Sequence, residues 1–266
     1  MPNPHSMTIG QIELTVFDDG HFDLPVAYFS GLSDDLAARL SDPVTIGANL
    51  WLVKTGDRRV LIDTGSGQAL KERFPETGMS FETISGEPIT DIVLTHMHAD
   101  HIGGFLGGGF AGVPVHVAKS EWEFWTNPDL PAAVPADQRP MIEAIQTIAG
   151  TFADRVVLHD GAADLGNGLT LVPLPGHTPG HRGLRLASDG QELLIAGDAL
   201  ISADVHFAEP NVGYALDGDP TTAAATRRAL LSEVAASGVP IAVTHLPYPG
   251  LGRVEAEGDA WRFVPL

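Results

Sequence analysis

The chain has no cysteine among its 266 residues. That excludes disulfide scaffolds, cysteine-based zinc sites and thiol nucleophiles, so any metal must be held by histidine and carboxylate side chains. Such donors favour hard or borderline divalent ions: zinc first, with manganese, cobalt or iron as alternatives. Lysine is almost as scarce. Only Lys54, Lys71 and Lys119 occur, and the formal charge is −19. A surface of that sign repels phosphate backbones and anionic lipid, which argues against nucleic-acid and membrane partners. No stretch approaches the roughly 18 consecutive apolar residues of a membrane span. Met1–Gly10 has no basic start followed by an apolar run, so no signal peptide is read and a cytoplasmic location is expected.

Hydrophobic residues make up 44% of the chain, enough for a sizeable core. Residues 1–7 read as a disordered lead-in and 8–266 as one domain, with no linker, repeat or composition break. Residues 8–17 alternate loosely and predict a strand. Leu50–Lys54 and Arg58–Ile62 flank a Gly-Asp turn and predict a hairpin that runs into Asp63-Thr64-Gly65. Further strands are expected at 113–118, 155–158, 169–172, 183–187, 192–196 and 241–243. Met141, Ile142, Ile145, Ile148 and Ala149 recur on one helical face closed by Gly150. Asp219-Pro220 supplies an N-cap and first-turn proline to a helix ending near Gly238, its buried face being Leu230, Leu231, Val234 and Ala235.

The run His96-Met97-His98-Ala99-Asp100-His101 sets four metal-ligand side chains within six residues. Packing a core does not require this density, whereas a metal site does. The run follows Ile92-Val93-Leu94, a buried strand in pattern, and precedes Gly103-Gly104, so the ligands belong to a loop at a strand end. His96 and His98 can reach one cation if the loop turns back. Asp100 and His101 must then point elsewhere, which predicts a second cation nearby. Three more residues stand at strand ends before turns: His177 in Pro175-Gly-His-Thr-Pro-Gly-His181, Asp198 after Ala196-Gly197, and His245 after Val243-Thr244.

With those residues in that order, the chain resembles the metallo-β-lactamase-fold hydrolases from Asp63 to His245. The resemblance implies an α+β fold, a four-layer αββα sandwich with a dinuclear metal centre at one edge of its sheets. It implies that His96, His98 and His177 hold one ion, that Asp100, His101 and His245 hold the other, and that Asp198 bridges them. Two ions so placed would activate a bridging water to hydroxide and polarise the substrate oxygen, while Asp100 passes a proton to the leaving group. Asp63 would accept a hydrogen bond from a ligand histidine, and His181 would support the site without binding metal. His5, His21, His116, His159 and His206 read as ordinary polar residues.

Gly197–Phe207 with Pro210, Thr244–Gly252, Trp261–Pro265 and Glu121-Trp-Glu-Phe-Trp125 resemble a narrower group, the methyl parathion hydrolase-like enzymes and related lactonases. The implied substrate is a small neutral ester or lactone, with phosphotriester cleavage as a side activity. Trp125, Phe207, Tyr28 and Phe29, with Tyr214, are the expected pocket aromatics. Homoserine lactonases of this fold commonly carry tyrosine three residues after the bridging aspartate, and here that position is Ile201. Hydrolysis of a β-lactam or thioester is the competing reading, and a non-catalytic metal-binding module the third. A homodimer is compatible with all of them.

Overall fold

Alternation along the strands builds the layers. In Leu50-Trp51-Leu52-Val53, Leu50 and Leu52 join one apolar core and Trp51 and Val53 another, as side chains on successive residues of a strand point to opposite faces. In the computed structural model, which describes residues 4–266, the chain forms two seven-stranded sheets. The first sheet runs, in spatial order, His5–Ile9, Ile12–Leu24, Val44–Thr55, Arg58–Ile62, Asp91–Val93, Val115–Ala118 and Val156–His159. The second runs Ala260–Pro265, Leu251–Glu257, Ile241–Ala242, Gln191–Ile195, Arg182–Ser188, Leu169–Pro173 and Ala163–Gly166.

Trp51, Val60, Ile62 and Val93 of the first sheet meet Leu171, Leu184, Leu193 and Ile195 of the second in the central core. On the outer face of the first sheet, Leu52, Leu61 and Ile92 pack with Ile142, Ile145 and Ile148 of the helix Arg139–Gly150. On the outer face of the second, Leu194 and Ile241 pack with Leu230, Leu231 and Val234 of the helix Pro220–Ser237. This is the four-layer αββα sandwich expected from the sequence. Asp219 caps the second helix by accepting from the backbone N–H groups of Thr221 and Thr222, and Gly238 ends it in the left-handed region at φ 70°. None of the described helices is long and apolar enough to cross a membrane.

Two local expectations change. Residues 5–7 are not a disordered lead-in: His5–Ile9 pairs antiparallel with Ile12–Leu24, and Ser6 hydrogen-bonds Thr15 across the ladder at 3.2 Å. The turn at Gly10, with φ 55°, lets the chain fold back after Ile9, and Ile9 itself is buried. Residues 1–3 lie outside the described part. The buried stripe of Pro220–Ser237 includes Arg227, which was not expected there, while Ala235 lies only half-buried.

Candidate metal centre

The six-residue run splits its ligands because its backbone changes conformation halfway. His98 is extended, at φ −67° and ψ 157°, and stands as N-cap of the short helix Ala99–Ile102. His96 and His98 therefore leave the stretch after the strand Asp91–Val93, whereas Asp100 and His101 leave a helical turn. That turn is pressed against the Asp63–Gly67 loop, where a Cβ at Gly104 would stand 2.3 Å from the carbonyl oxygen of Thr64. The second sheet supplies the rest. His177 lies in the turn between Leu169–Pro173 and Arg182–Ser188, Asp198 follows Gln191–Ile195, and His245 follows Ile241–Ala242.

Two clusters result. His98 Nδ1 lies 3.0 Å from both His96 Nε2 and His177 Nε2. Three imidazole nitrogens bound tetrahedrally at about 2.0–2.1 Å from zinc stand about 3.3 Å apart, so the spacing suits one cation. The second cluster joins Asp100, His101, Asp198 and His245, whose donor atoms all lie within 4.8 Å of one another. Asp198 Oδ2 faces both clusters, at 3.0 Å from His245 Nε2, 3.4 Å from His177 Nε2 and 3.7 Å from His96 Nε2. His101 Nε2 and Asp198 Oδ1 are buried without a hydrogen-bond partner, a condition that a cation between them would relieve.

The other ring nitrogens of His96, His101, His177 and His245 are tied back into the protein. His101 Nδ1–H donates to Asp63 at 2.8 Å, His177 Nδ1–H to Asp217 at 3.0 Å and His245 Nδ1–H to the Gly47 carbonyl at 2.8 Å. The Thr95 hydroxyl donates to Asp63 at 2.7 Å and accepts from His96 Nδ1–H at 3.1 Å. Each contact fixes a tautomer and aims Nε2 inward. Asp217 and Arg227 were not foreseen from the sequence. Asp217 is itself held by the buried Arg227 guanidinium at 3.3 Å. His181 belongs to neither cluster. Its Nε2 accepts from the Asp198 backbone N–H at 2.9 Å, and its Nδ1–H donates to the Leu174 carbonyl.

Electrostatics divides the clusters. Burial and the neighbouring His177 push His98 down to about 3, so it is a neutral donor. Burial also opposes charge on His101, yet Asp198, Asp100 and Asp63 outweigh it and hold His101 well above its ordinary value. Asp100 shows the reverse: burial would raise it, but His101 and His245 bring it down to about 2. The second cluster is thus a pocket of carboxylate charge that draws protons onto imidazole, and a divalent cation satisfies the same charge.

Two cavities open onto these atoms. One of about 530 Å³ has His98, Asp100 and His245 beside apolar walls that include Phe22, Ile46, Leu70, Phe74 and Ile148. Its neighbour, of about 720 Å³, borders His98 and His177 and is lined by Trp125, Pro175, Thr178 and Asp219. Trp125 meets His98 edge-on at 5.3 Å between ring centres, and Tyr214 stacks on His177 at 6.1 Å. Tyr28 lines the first cavity, where its hydroxyl accepts from Arg73 at 3.1 Å. Phe207 and Phe29 do not line either cavity. Phe207 is buried against Phe263 beneath the Pro220–Ser237 helix, and Phe29 is buried against His206 and Tyr214. His206, read from the sequence as an ordinary polar residue, is fully buried and accepts from the Ile201 N–H.

Residues 45–245 match the family model of the metallo-beta-lactamase superfamily. Among curated relatives, the probable metallo-hydrolase YflN of Bacillus subtilis (strain 168) is 29% identical over 160 residues, covering 54% of this chain and 56% of the relative. The human acyl-coenzyme A thioesterase MBLAC2 is 29% identical over 170 residues, covering 58% of each. The chain thus spans little more than half the length of these curated relatives. Among solved structures, the dizinc quorum-quenching lactonase AidC, with a product bound, superposes at a TM-score of 0.88. It is 26% identical, and the match covers 99% of this chain and 97% of AidC. The family match and the shared architecture place this chain in the metallo-beta-lactamase superfamily.

Proposed function

We propose that this protein is a metal-dependent hydrolase that opens a small uncharged lactone or ester. His96, His98 and His177 would hold one divalent cation, and Asp100, His101 and His245 a second, with Asp198 shared between them; zinc is the first choice of metal. The observation that carries this reading is Asp198 Oδ2, within 3.7 Å of imidazole nitrogens from both clusters, next to a cavity of mostly apolar walls. When bound, a pair of such ions supplies a water deprotonated near neutral pH and polarises the substrate's carbonyl oxygen.

The chain's own residues supply positioning and proton transfer. Asp100 Oδ2 stands 3.5 Å from both His101 Nε2 and His245 Nε2, and the residue borders the cavity. From there the Asp100 carboxylate can take the proton released by the attacking water and hand it to the departing oxygen. Tyr214 lines the same cavity. Burial, with the charges of Asp100 and Asp198 nearby, holds its phenol well above the ordinary value, so it stays a hydroxyl donor toward a substrate oxygen. Ile201 offers no such group and is buried in apolar core. Phe22, Ile46, Leu70 and Phe74 would take an acyl chain or aryl ring and exclude water from it.

The test is metal content by elemental analysis together with hydrolysis of dihydrocoumarin, an aryl acetate, an acyl-homoserine lactone and methyl paraoxon. About two ions per chain with turnover of lactone or aryl ester is the expected result, and slow paraoxon cleavage would fit a side activity. Fewer than one ion, unchanged by added zinc or manganese, overturns the reading. Thioester hydrolysis is the second reading, favoured by the likeness to an acyl-coenzyme A thioesterase. Against it stands the −19 charge, which opposes a nucleotide's phosphates, although beside both cavities Asp137 is matched by Arg73. Preference for an acyl-coenzyme A over every lactone and ester would establish it.

A further inference from the structure

The three histidines of the first cluster come from different sheets. His96 and His98 follow a strand of the first sheet, and His177 sits in a turn of the second. Three nitrogens that must meet one cation to within a few tenths of an ångström are therefore carried by two separate loops. Something has to fix one loop against the other.

Glu121, on the short helix Lys119–Trp125, is buried at 1% exposure, and its carboxylate accepts four hydrogen bonds. Oε1 takes the Met97 N–H at 2.9 Å and the Trp125 indole N–H at 2.7 Å. Oε2 takes the Thr178 hydroxyl at 2.7 Å and the Gly180 N–H at 2.9 Å. Met97 lies between His96 and His98, and Thr178 adjoins His177. Trp125 is the ring that packs edge-on against His98. One carboxylate thus grips both loops and the indole beside the cluster. The approach is close enough that a Cβ at Gly180 would lie 2.4 Å from the Glu121 backbone nitrogen.

We infer that Glu121 is a positioning residue for the metal held by His96, His98 and His177, clamping the two loops that deliver them. This rests on the metal-hydrolase reading above. Glu121 does not bind the cation or touch the substrate; it acts through Met97, Thr178 and Gly180. A carboxylate is required because all four contacts are donors. In Glu121→Gln the amide nitrogen is itself a donor and faces one of the two pairs, so that pair loses its acceptor while the side-chain shape is kept.

The experiment is a zinc titration of wild type, Glu121→Gln and Thr178→Val in competition with a chromophoric chelator, paired with urea unfolding of each metal-free protein. Wild type should bind two ions. Glu121→Gln should bind one of them about 10- to 100-fold more weakly and the other as before. Thr178→Val, which removes a single donor and leaves Glu121 in place, should weaken the same ion by less. Unchanged affinity for both ions in a folded Glu121→Gln overturns the inference. So does equal weakening of both ions in step with a lower unfolding midpoint, which is what a merely structural role gives. If Glu121→Gln does not fold, Thr178→Val decides by the same two criteria. A wild type that binds neither ion overturns the hydrolase reading and the inference with it.

Discussion

Asp63 meets His101 at 2.8 Å with both side chains fully buried, and it does so from a left-handed backbone conformation at φ 60°. Three donors hold the carboxylate there: His101 Nδ1–H, the Thr95 N–H and the Thr95 hydroxyl. The pairing protonates His101 on Nδ1 and leaves Nε2 facing Asp100 and Asp198. Asp63→Asn keeps a side chain that tolerates this backbone but replaces one acceptor oxygen with a donor. We expect it to lower affinity for the second cluster's ion by about 10- to 100-fold, read by zinc titration. Retention of wild-type affinity would mean that His101 needs no such partner.

Asp198 and His181 give a paired contrast, because they touch each other yet differ in role. Asp198→Ala removes the oxygen shared by both clusters and should release metal and abolish turnover. His181→Ala removes an acceptor for the Asp198 N–H but no cluster member, so metal content should stay near normal. Elemental analysis of both variants decides. Loss of one whole ion from His181→Ala would reassign the ligand set.

Away from the metals, His116 and His159 stack and share a hydrogen bond of 2.8 Å, and His116 also reaches Asp91 at 3.3 Å. Burial lowers His116 below its ordinary 6.5 and the Arg58 charge adds to this, while Asp91 opposes them; burial and the adjacent His116 lower His159 as well. A folded-state pKa below the unfolded one means that the unfolded chain binds the proton first as pH falls. The stabilisation is therefore complete above about 6.5 and declines below it. In metal-loaded protein, the difference in urea stability between wild type and His116→Gln should narrow from pH 7 to pH 5. A difference that does not change with pH would refute this.

The apolar cavity yields a prediction about substrate length. Ala144 lines it on the helix Arg139–Gly150 and belongs to neither ligand cluster. Ala144→Trp would occupy part of the roughly 530 Å³. KM for a long-chain acyl lactone should rise by about tenfold, the equivalent of about 1.4 kcal/mol, whereas kcat for a small aryl acetate should hold. Equal effects on both substrates would show that the acyl group binds elsewhere.

Four residues of the two candidate clusters were legible because their density is local. Four ligand types in six residues carry a signal without any knowledge of the fold. The residues that orient them were not, because their partners are remote in the chain. Asp217 is 40 residues from His177, and Glu121 is 57 from Thr178. Glu121 drew notice only as part of an aromatic segment. Arg227 did leave a trace: it falls three and seven residues before Leu230 and Val234, on the stripe the helix buries. Phe207 and Phe29 stay away from the two cavities beside the clusters because both are buried aromatics that fill core.

His96 and His98 hang from one sheet and His177, Asp198 and His245 from the other, so neither half of the sandwich carries a complete set of donors. The site comes into being only when the two halves have docked. Tight metal capture therefore has to follow assembly of the central core and cannot nucleate it. Ions captured there would act as a latch across the seam between the sheets.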